Sequence, residues 1–226
     1  MKSNTQNIAT KVSWDYARVS DTVYVEEVKE YNAGLVYALT KRGLDIVGSI
    51  LGLVILFIPF ILMCTIIVAD SPGGPLYSQV RLGKDEKPFR LYKFRTMNID
   101  AEADGMRWAE DNDPRVTKIG KFLRKTRLDE LPQLINILAG QMSLVGPRPE
   151  RPEFYDIFDT YIVGYRQRMK VLPGLTGYAQ VMGGYDLQPE EKIVYDIEYI
   201  ENQSLRMDLY CILKTFGVVF TGNGAR

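Results

Sequence analysis

The strongest pattern in the chain is an uncharged hydrophobic run at residues 46–69, IVGSILGLVILFIPFILMCTIIVA. As a straight helix with a rise of about 1.5 Å per residue, the run is longer than the ~30 Å hydrocarbon layer of a bilayer. A polar leader, residues 1–40, places the run too far into the chain for an ordinary cleaved signal peptide. The pattern therefore predicts a membrane-embedded helix.

Two features favour a helix that enters the membrane and returns on the same side. Pro59 lies near the middle of the run, where a proline removes a backbone hydrogen bond and bends the helix. Lys41 and Arg42 precede the run, whereas Arg81 and Lys84 follow it. Because cations beside a membrane segment prefer the cytoplasmic side, both flanks favour that side. These patterns leave a kinked spanning helix and a re-entrant helix as alternatives.

Residues 70–75, DSPGGP, are typical of a break in regular structure. After them the pattern changes to short strands and amphipathic helices. Two β-rich pieces, LYSQVRL and FRLYKFRTM, flank a turn and predict a hairpin. Residues 116–127, VTKIGKFLRKTR, have apolar positions at helical spacing and cations without any acid. Such a basic amphipathic helix suits an anionic membrane surface or a phosphate-bearing ligand, and a solvated helix face is the alternative. The apolar tail, residues 205–220, slightly favours an interfacial position over a core position.

Composition limits the chemistry that these elements can perform. The 226 residues include 28 Lys and Arg, 28 Asp and Glu, and no histidine. Zero net charge gives no global attraction to nucleic acid. The lack of histidine excludes Ser-His-Asp triads and histidine-ligated zinc. Cys64 and Cys211 lie in apolar runs without a CxxC spacing, which predicts reduced packing residues.

Residues 123–138, LRKTRLDELPQLINIL, place a cluster of cations directly before two adjacent carboxylates, Asp129 and Glu130. A solvated helix end is one interpretation, since acids are favoured in a first helical turn. The functional interpretation is a reactive site, because neighbouring side chains on a helix point about 100° apart and can serve two different partners.

Two loops downstream are rich in proline and glycine. In GPRP, at residues 146–149, prolines on both sides of Arg148 stiffen the backbone, which suits an arginine that binds phosphate with both nitrogens. An ordinary proline-rich turn is the alternative. In LPGLTGYAQVMGGY, at residues 172–185, the glycines would let backbone N–H groups approach a ligand, although the Walker spacing is absent.

Together these pieces resemble the bacterial sugar transferase family, the monotopic polyprenyl-phosphate phosphoglycosyl transferases. Five blocks carry the resemblance in order: KRGLD (41–45), YKFRTM (92–97), NDPRVTKIGKFLRKTRLDELPQLINILAGQMSLVGPRP (112–149), PGLTGYAQV (173–181) and NQSLRMDLYCILKT (202–215). The first forty residues fall outside it, and we expect none of the additional amino-terminal membrane helices of larger members. The residue before the helix-breaking proline is often serine in the family and is Ile58 here.

The resemblance implies a fold and a domain organisation. The expected fold is α+β and mainly helical, with a re-entrant membrane helix and interfacial amphipathic helices. We expect a polar leader at residues 1–40, a re-entrant membrane helix at 41–70, and a cytosolic catalytic domain at 71–226 on the membrane face. The expected location is the cytoplasmic face of the bacterial inner membrane.

The resemblance also implies a reaction: sugar 1-phosphate passes from a UDP-sugar to undecaprenyl phosphate and UMP is released, as the first step of exopolysaccharide, capsule or glycoconjugate assembly. It implies Asp129 as the nucleophile, which carries the phospho-sugar covalently, and Glu130 as the ligand of Mg²⁺. Arg124, Lys93 and Arg148 are the expected phosphate-binding residues. The form MGGY after the AQV block looks more like relatives that use glucose or galactose than those that use acetamido sugars.

Other functions remain alternatives at this stage. A membrane-anchored protein could bind anionic lipid or nucleic acid without catalysis through the acid-free run at residues 118–127. Zero net charge and the lack of an aromatic stacking platform argue against nucleic acid. A hydrolase could split the UDP-sugar with water and would need no lipid acceptor. The expected partners are a UDP-sugar, undecaprenyl phosphate and the lipid bilayer, and the oligomeric state is open, a homo-oligomer included.

Overall fold

The structure, a computed structural model, describes residues 22–25, 27–28, 34–103, 113–183 and 187–221. The helices are α1 Gly34–Ile55, α2 Phe57–Asp70, α3 Lys118–Thr126, α4 Gln133–Leu138, α5 Pro152–Asp159, α6 Tyr178–Met182, α7 Pro189–Glu201 and α8 Leu205–Thr221. The strands are β1 Val23–Tyr24, β2 Leu76–Leu82, β3 Pro88–Phe94, β4 Ser143–Val145, β5 Ile162–Val163 and β6 Gly174–Thr176. The described part is mainly helical with some strands, as the sequence predicts.

The strands pair in three small sheets. β2 and β3 form the predicted antiparallel hairpin, in a register that runs from Leu76 opposite Phe94 to Leu82 opposite Pro88. β4 and β6 are parallel, and so are β1 and β5. Because β1 lies within the segment predicted as a polar leader, part of that leader contributes a strand next to β5.

The long hydrophobic run forms two helices, α1 and α2, which are bent by 62° at the break between them. The break lies at Leu56, so Pro59 occupies the first turn of α2, where its missing N–H breaks no bond inside the helix. Within the described ranges, no single helix is long and apolar enough to cross a membrane, whereas the bent pair passes that test together. α1 begins at Gly34, upstream of the boundary predicted at Lys41.

The outer faces of α1 and α2 are apolar and exposed. Ile55 is 72% exposed, Phe57 61% and Ile58 69%, and the exposed apolar residues continue along both helices. A continuous apolar surface of this kind is uncommon on soluble monomers and marks an interaction surface. The bent pair therefore presents a surface suited to an apolar environment.

Three polar side chains of the KRGLD block attach α1 to the rest of the fold. Lys41 forms a 3.0 Å ion pair with Asp208 of α8. Arg42 donates to the last two carbonyls of α4 at 2.7 and 2.8 Å. Asp45 is 2% exposed and accepts hydrogen bonds from Ser143 Oγ at 3.0 Å and from the next backbone N–H at 2.8 Å. The block thus joins α1 to three separate elements.

The β2–β3 hairpin is held from both faces. Leu91 of β3 packs with Leu134 and Ile137 of α4, whereas Phe94 packs with Leu123 of α3. Thr117 caps the start of α3: its side chain accepts a hydrogen bond from a backbone N–H in the first turn. This packing brings the hairpin next to the segment between α3 and α4.

A second core lies under α5 and α7 and encloses a buried ion pair. Arg168 and Asp196 are each 1% exposed at the side chain and lie 2.6 Å apart, and Arg168 also donates to Tyr165 Oη at 2.7 Å. Buried charges are tolerated when they are paired and hydrogen-bonded in this way. Cys64 and Cys211 are both free thiols, which confirms the prediction made for them.

Candidate active site

Asp129 and Glu130 lie in a short 3₁₀ turn, Leu128–Glu130, between α3 and α4. The sequence indicated the start of a helix here, but α4 begins only at Gln133, after Pro132. Arg127 precedes the turn with φ of 60°, a left-handed conformation that costs about 1–3 kcal/mol for a residue other than glycine. The surrounding packing thus holds the two carboxylates in a tight turn between the two helices.

The structure brings four of the five predicted site residues together. Arg148 grips Glu130 with both terminal nitrogens, Nη2 at 2.6 Å from Oε1 and Nη1 at 3.2 Å from Oε2. Lys93 Nζ lies 3.4 Å from Glu130 Oε1 and 3.9 Å from Asp129 Oδ2. Both acids are nearly buried, at 7% and 5% exposure.

The fifth residue, Arg124, takes a different place. It lies in the last turn of α3 and donates its Nε–H to Thr96 Oγ1 at 3.0 Å. Its charge still acts on the pair, because it contributes to lowering the pKa of Asp129. Arg124 therefore acts on the Asp129–Glu130 pair through its charge and is hydrogen-bonded elsewhere, to Thr96.

The two neighbouring carboxyls differ in acidity. Burial raises the pKa of Asp129 above its ordinary value, against the opposing charge of Lys93. Burial acts in the same direction on Glu130, but Arg148 and then Lys93 hold the pKa of that carboxyl well below its usual range. Two acids whose pKa values are pushed apart are suited to different roles in one reaction.

The pair fits Mg²⁺ as part of a site that a phosphate-bearing substrate completes. Mg²⁺ usually binds through one or two carboxylates together with substrate phosphates and waters. Glu130, whose pKa Arg148 and Lys93 hold low against the effect of burial, supplies an ionised carboxylate for such a site. Among the residues that the structure describes, no group of three or more possible ligands is present.

Arg148 is presented by a loop that packs tightly on a second loop. Gly146 follows β4, and a Cβ there would lie 2.3 Å from the carbonyl oxygen of Leu172. A Cβ on Gly174 would lie 2.1 Å from the backbone nitrogen of Gly146. Gly146 and Gly174 thus allow the GPRP loop and residues 173–177 to touch backbone to backbone.

Asn136 is a positioning residue that the sequence analysis missed. Its side chain is fully buried on α4; it accepts from the backbone N–H of Tyr92 at 3.1 Å and donates to the carbonyl of Arg90 at 2.7 Å. These bonds tie β3, which carries Lys93, to the helix that follows the carboxylate pair. The sequence does contain a signal for it: Asn136 stands among apolar residues in INIL. An asparagine buried with such neighbours needs hydrogen-bond partners, which indicates a structural role.

Arg95 is a second missed residue. It is 7% exposed and donates to the backbone carbonyls of residues 71–74, at distances between 2.7 and 3.1 Å. Arg95 is buried and joins the end of α2 to the end of β3. The bent helix pair is thus connected directly to the strand that carries Lys93.

Comparison with known proteins supports the resemblance. The bacterial sugar transferase family model matches residues 36–222. UDP-N-acetylgalactosamine-undecaprenyl-phosphate N-acetylgalactosaminephosphotransferase of Aeromonas hydrophila is 44% identical over 195 residues, 84% of this chain and 46% of that protein. UDP-glucose:undecaprenyl-phosphate glucose-1-phosphate transferase of Escherichia coli (strain K12) is 39% identical, over 92% of this chain and 46% of its own length.

A shorter relative covers the same region. UDP-glucose:undecaprenyl-phosphate glucose-1-phosphate transferase of Caulobacter vibrioides is 40% identical over 193 residues, 83% of this chain and 72% of that protein. The chain spans about half the length of the Aeromonas and Escherichia relatives. Since the family model covers most of the chain and the predicted motifs lie within the match, the chain belongs to the bacterial sugar transferase family.

Proposed function

We propose that this protein transfers a sugar 1-phosphate from a UDP-sugar to undecaprenyl phosphate and releases UMP. The observation that carries the proposal is the nearly buried Asp129–Glu130 pair, contacted by Lys93 and Arg148, in a chain whose relatives are named for this reaction. The proposed product is the lipid-linked sugar with which polysaccharide assembly begins.

The reaction proceeds in two displacements at one phosphorus atom. A carboxylate oxygen of Asp129 attacks the phosphorus that bears the sugar, and the bond from that phosphorus to the bridging oxygen breaks, so UMP leaves with the electron pair. An oxygen of the lipid phosphate then attacks the aspartyl phospho-sugar. The bond between that phosphorus and Asp129 breaks, and the carboxylate is regenerated.

The cations around the pair make an attack between anions feasible. A diphosphate repels a carboxylate nucleophile, and fixed positive charges at the reacting centre offset that repulsion without reorganisation. Lys93 contacts both carboxylates, and Arg148 presents a planar pair of donors that matches phosphate oxygens. Arg124 adds a further positive charge from the end of α3.

Glu130 is the proposed Mg²⁺ ligand, together with the phosphates of the donor. Bound Mg²⁺ would neutralise diphosphate charge and stabilise the departing phosphate oxygens. Excess EDTA should abolish UMP release, and added Mg²⁺ should restore it. Full activity in excess EDTA would contradict this role for Glu130.

The bent pair α1–α2 is proposed to be a re-entrant membrane helix with both ends on the cytoplasmic face. Its exposed apolar faces suit the hydrocarbon layer, and cations flank the pair on both sides. This arrangement would place the catalytic domain at the membrane surface, where the lipid phosphate is found. Both substrates would then meet at the cytoplasmic headgroup layer.

Substitution of the proposed nucleophile tests the function. Asp129→Asn should lower UMP release by about three orders of magnitude or more, since a carboxamide cannot form the covalent intermediate. Asp156→Asn is the matched control, because Asp156 is 71% exposed at the side chain and lies on α5 in a surface ion pair. Donor labelled in the sugar phosphate should mark the wild-type protein on Asp129, and wild-type turnover by Asp129→Asn would refute the assignment.

The basic face of α3 supports a second candidate function, the binding of anionic lipid without turnover. Lys118, Lys121 and Lys125 are exposed on α3, and Phe122 is 51% exposed beside them. UMP release separates the candidates, because a binding protein produces none. A UDP-sugar hydrolase would release UMP without lipid phosphate, whereas the proposed transferase requires the lipid for repeated turnover.

The sugar is a separate question. The sequence favours glucose or galactose, while the relatives' names include both glucose and N-acetylgalactosamine. UMP release measured with UDP-glucose, UDP-galactose and their N-acetylamino counterparts decides between them. Preference for an acetamido sugar would contradict the inference from the MGGY form.

A further inference from the structure

A row of polar side chains on β2 faces the same side as Lys93. Residues directly opposite each other in an antiparallel pair project from the same face of the sheet. Tyr77 lies opposite Lys93, and Arg81 lies opposite Phe89, so Tyr77, Gln79 and Arg81 share the face that carries Lys93. The roles proposed above use only Lys93 from this face.

Hydrogen bonds connect the row into one chain. Arg81 Nη2 donates to Gln79 Oε1 at 2.7 Å, and Gln79 Nε2 donates to Tyr77 Oη at 3.0 Å. Tyr77 in turn interacts with Arg151, which follows the GPRP loop and precedes α5. The row therefore joins two arginines, Arg81 and Arg151, on the face of the hairpin that carries Lys93.

Both arginines keep donors without a partner. Arg81 Nη1 lies 3.4 Å from Glu150 Oε2, a long contact, and its Nε–H is buried with no acceptor in the described part of the chain. Arg151 is 8% exposed; its Nη2 pairs with Glu102, and its Nη1 is buried and equally lacks an acceptor there. Unsatisfied charged donors are costly, so each arginine has an ion pair but incomplete hydrogen bonding within the described part of the chain.

The arginines also repel one another. Burial lowers the pKa of Arg81, Glu150 opposes that shift, and the neighbouring Arg148 and Arg151 lower the pKa further. A bound phosphate would relieve this repulsion and supply the missing acceptors. A phosphate can approach from the solvent side, where Tyr77 is 39% exposed and the side chain of Glu102 is 40% exposed. There a phosphate would displace Glu102 as the ion-pair partner of Arg151.

We propose that Arg81 and Arg151, with Tyr77 and Gln79 between them, form a second phosphate subsite beside the carboxylate pair. The inference rests on the proposed function, in which two phosphates must be held near one reacting phosphorus. Arg148 and Lys93 serve the phosphate that reacts, and the second subsite holds either the phosphate that leaves with the nucleoside or the phosphate of the lipid acceptor.

Variants of the two arginines test the subsite. Arg81→Gln and Arg151→Gln should each raise the KM of one substrate by about ten- to hundredfold, while kcat stays within about threefold. A rise in the KM of the UDP-sugar with weaker inhibition by UMP assigns the subsite to the nucleotide. A rise in the KM of the lipid phosphate alone assigns it to the lipid. Arg81→Lys and Arg151→Lys keep the charge and should recover part of the affinity.

Arg166→Gln is the matched control. Arg166 pairs with acidic side chains on the protein surface, among them Glu86 and Asp159, and should leave both KM values unchanged. Thermal melting of every variant reports folding, and if Arg81→Gln does not fold, the Arg151 variants alone decide. KM values within twofold of wild type for both substrates would overturn the subsite and leave the proposed function standing.

Direct binding separates the subsite from the proposed function. Isothermal titration of UMP and of inorganic phosphate into the wild type and Arg151→Gln needs no turnover. If the wild type releases no UMP from any donor, the proposed function fails. A loss of phosphate binding in Arg151→Gln would then still support the subsite, and equal binding by both proteins would overturn it.

Discussion

At the scale of single residues, the central contrast is between Asp129 and Glu130, which are adjacent in sequence yet differ in acidity. Glu130 is gripped by Arg148 and stays ionised, which suits a cation ligand. Asp129 has the weaker contact, 3.9 Å from Lys93, and burial raises its pKa. A carboxylate that is less stabilised by partners is the more reactive of the two, and for that reason Asp129 is the residue proposed as the nucleophile.

This contrast predicts a pH dependence. Asp129, as the proposed nucleophile, would attack only when ionised, so activity should fall as the pH drops through its raised pKa. Lys93 lowers that pKa, and therefore Lys93→Met should move the acid limb of the pH–rate profile to higher pH. The measurement is UMP release across the acid range.

A control for this experiment lies in the turn of the same hairpin. Lys84 is exposed there, and Lys84→Met should leave the acid limb in place. An acid limb that stays fixed or moves to lower pH in Lys93→Met would contradict the assignment.

Among the secondary-structure elements, the position of Lys93 depends on how α4 holds β3. Asn136 of α4 forms this clamp through its two hydrogen bonds to the β3 backbone. Asn136→Ala removes both bonds to β3, so the part-buried N–H of Tyr92 and carbonyl of Arg90 lose their side-chain partner. We expect a loss of about 1–3 kcal/mol in the free energy of unfolding, with lower activity because the strand that carries Lys93 is released. Chemical denaturation in detergent measures the first effect and UMP release the second.

An asparagine on the surface provides the comparison. Asn202 is exposed and donates to a helix carbonyl, so Asn202→Ala should change stability by less than about 0.5 kcal/mol. Asn136→Asp would bury a charge that faces the oxygens of Arg90 and Gln141, so it should be at least as damaging as Asn136→Ala. Equal stability of the two alanine variants would show that the clamp contributes little.

The attachment of α1 leads to a second prediction at this scale. Asp45→Ala leaves Ser143 Oγ and a backbone N–H without their buried acceptor, and we expect a loss of about 1–3 kcal/mol. For a chain of this size, each 1 kcal/mol lowers the melting temperature by about 2–4 °C. Asp45→Asn retains an acceptor oxygen and should lose less, whereas a melting temperature equal to wild type in Asp45→Ala would contradict the docking role.

At the scale of the whole molecule, the bent pair α1–α2 predicts the topology. Glu27→Cys and Lys84→Cys place thiols before and after the pair at exposed positions. If the pair is re-entrant, a membrane-impermeant maleimide should label neither site in intact spheroplasts and both after lysis. The parent chain, with Cys64 and Cys211, sets the background, and labelling of only one site in intact spheroplasts would show a true span.

The sequence predicted the parts that short motifs encode. The β2–β3 hairpin, the break in the hydrophobic run and the proximity of Lys93 and Arg148 to the acid pair were all readable, because local periodicity and a specific family pattern determine them. The break lies at Leu56 and not at Pro59, where the sequence predicted it, because a proline is best accommodated in the first turn of the following helix.

The features that the sequence could not predict depend on contacts between residues that are far apart in the chain. Asn136 and Arg95 act through backbone groups that are distant in sequence, and no local pattern shows which carbonyl a side chain will meet. The strand formed by residues 23–24 escaped prediction for the same reason, because its partner β5 lies far along the chain.

The tight contact between Gly146 and Gly174 has a consequence for protein engineering. Because each loop leaves no room for a side chain on the other, the two segments have to be exchanged as a unit when chimeras are built from relatives with different sugars. A graft of residues 146–149 alone would meet a mismatched neighbour and displace Arg148, so a failed single-loop swap would report backbone collision and carry no information on sugar choice.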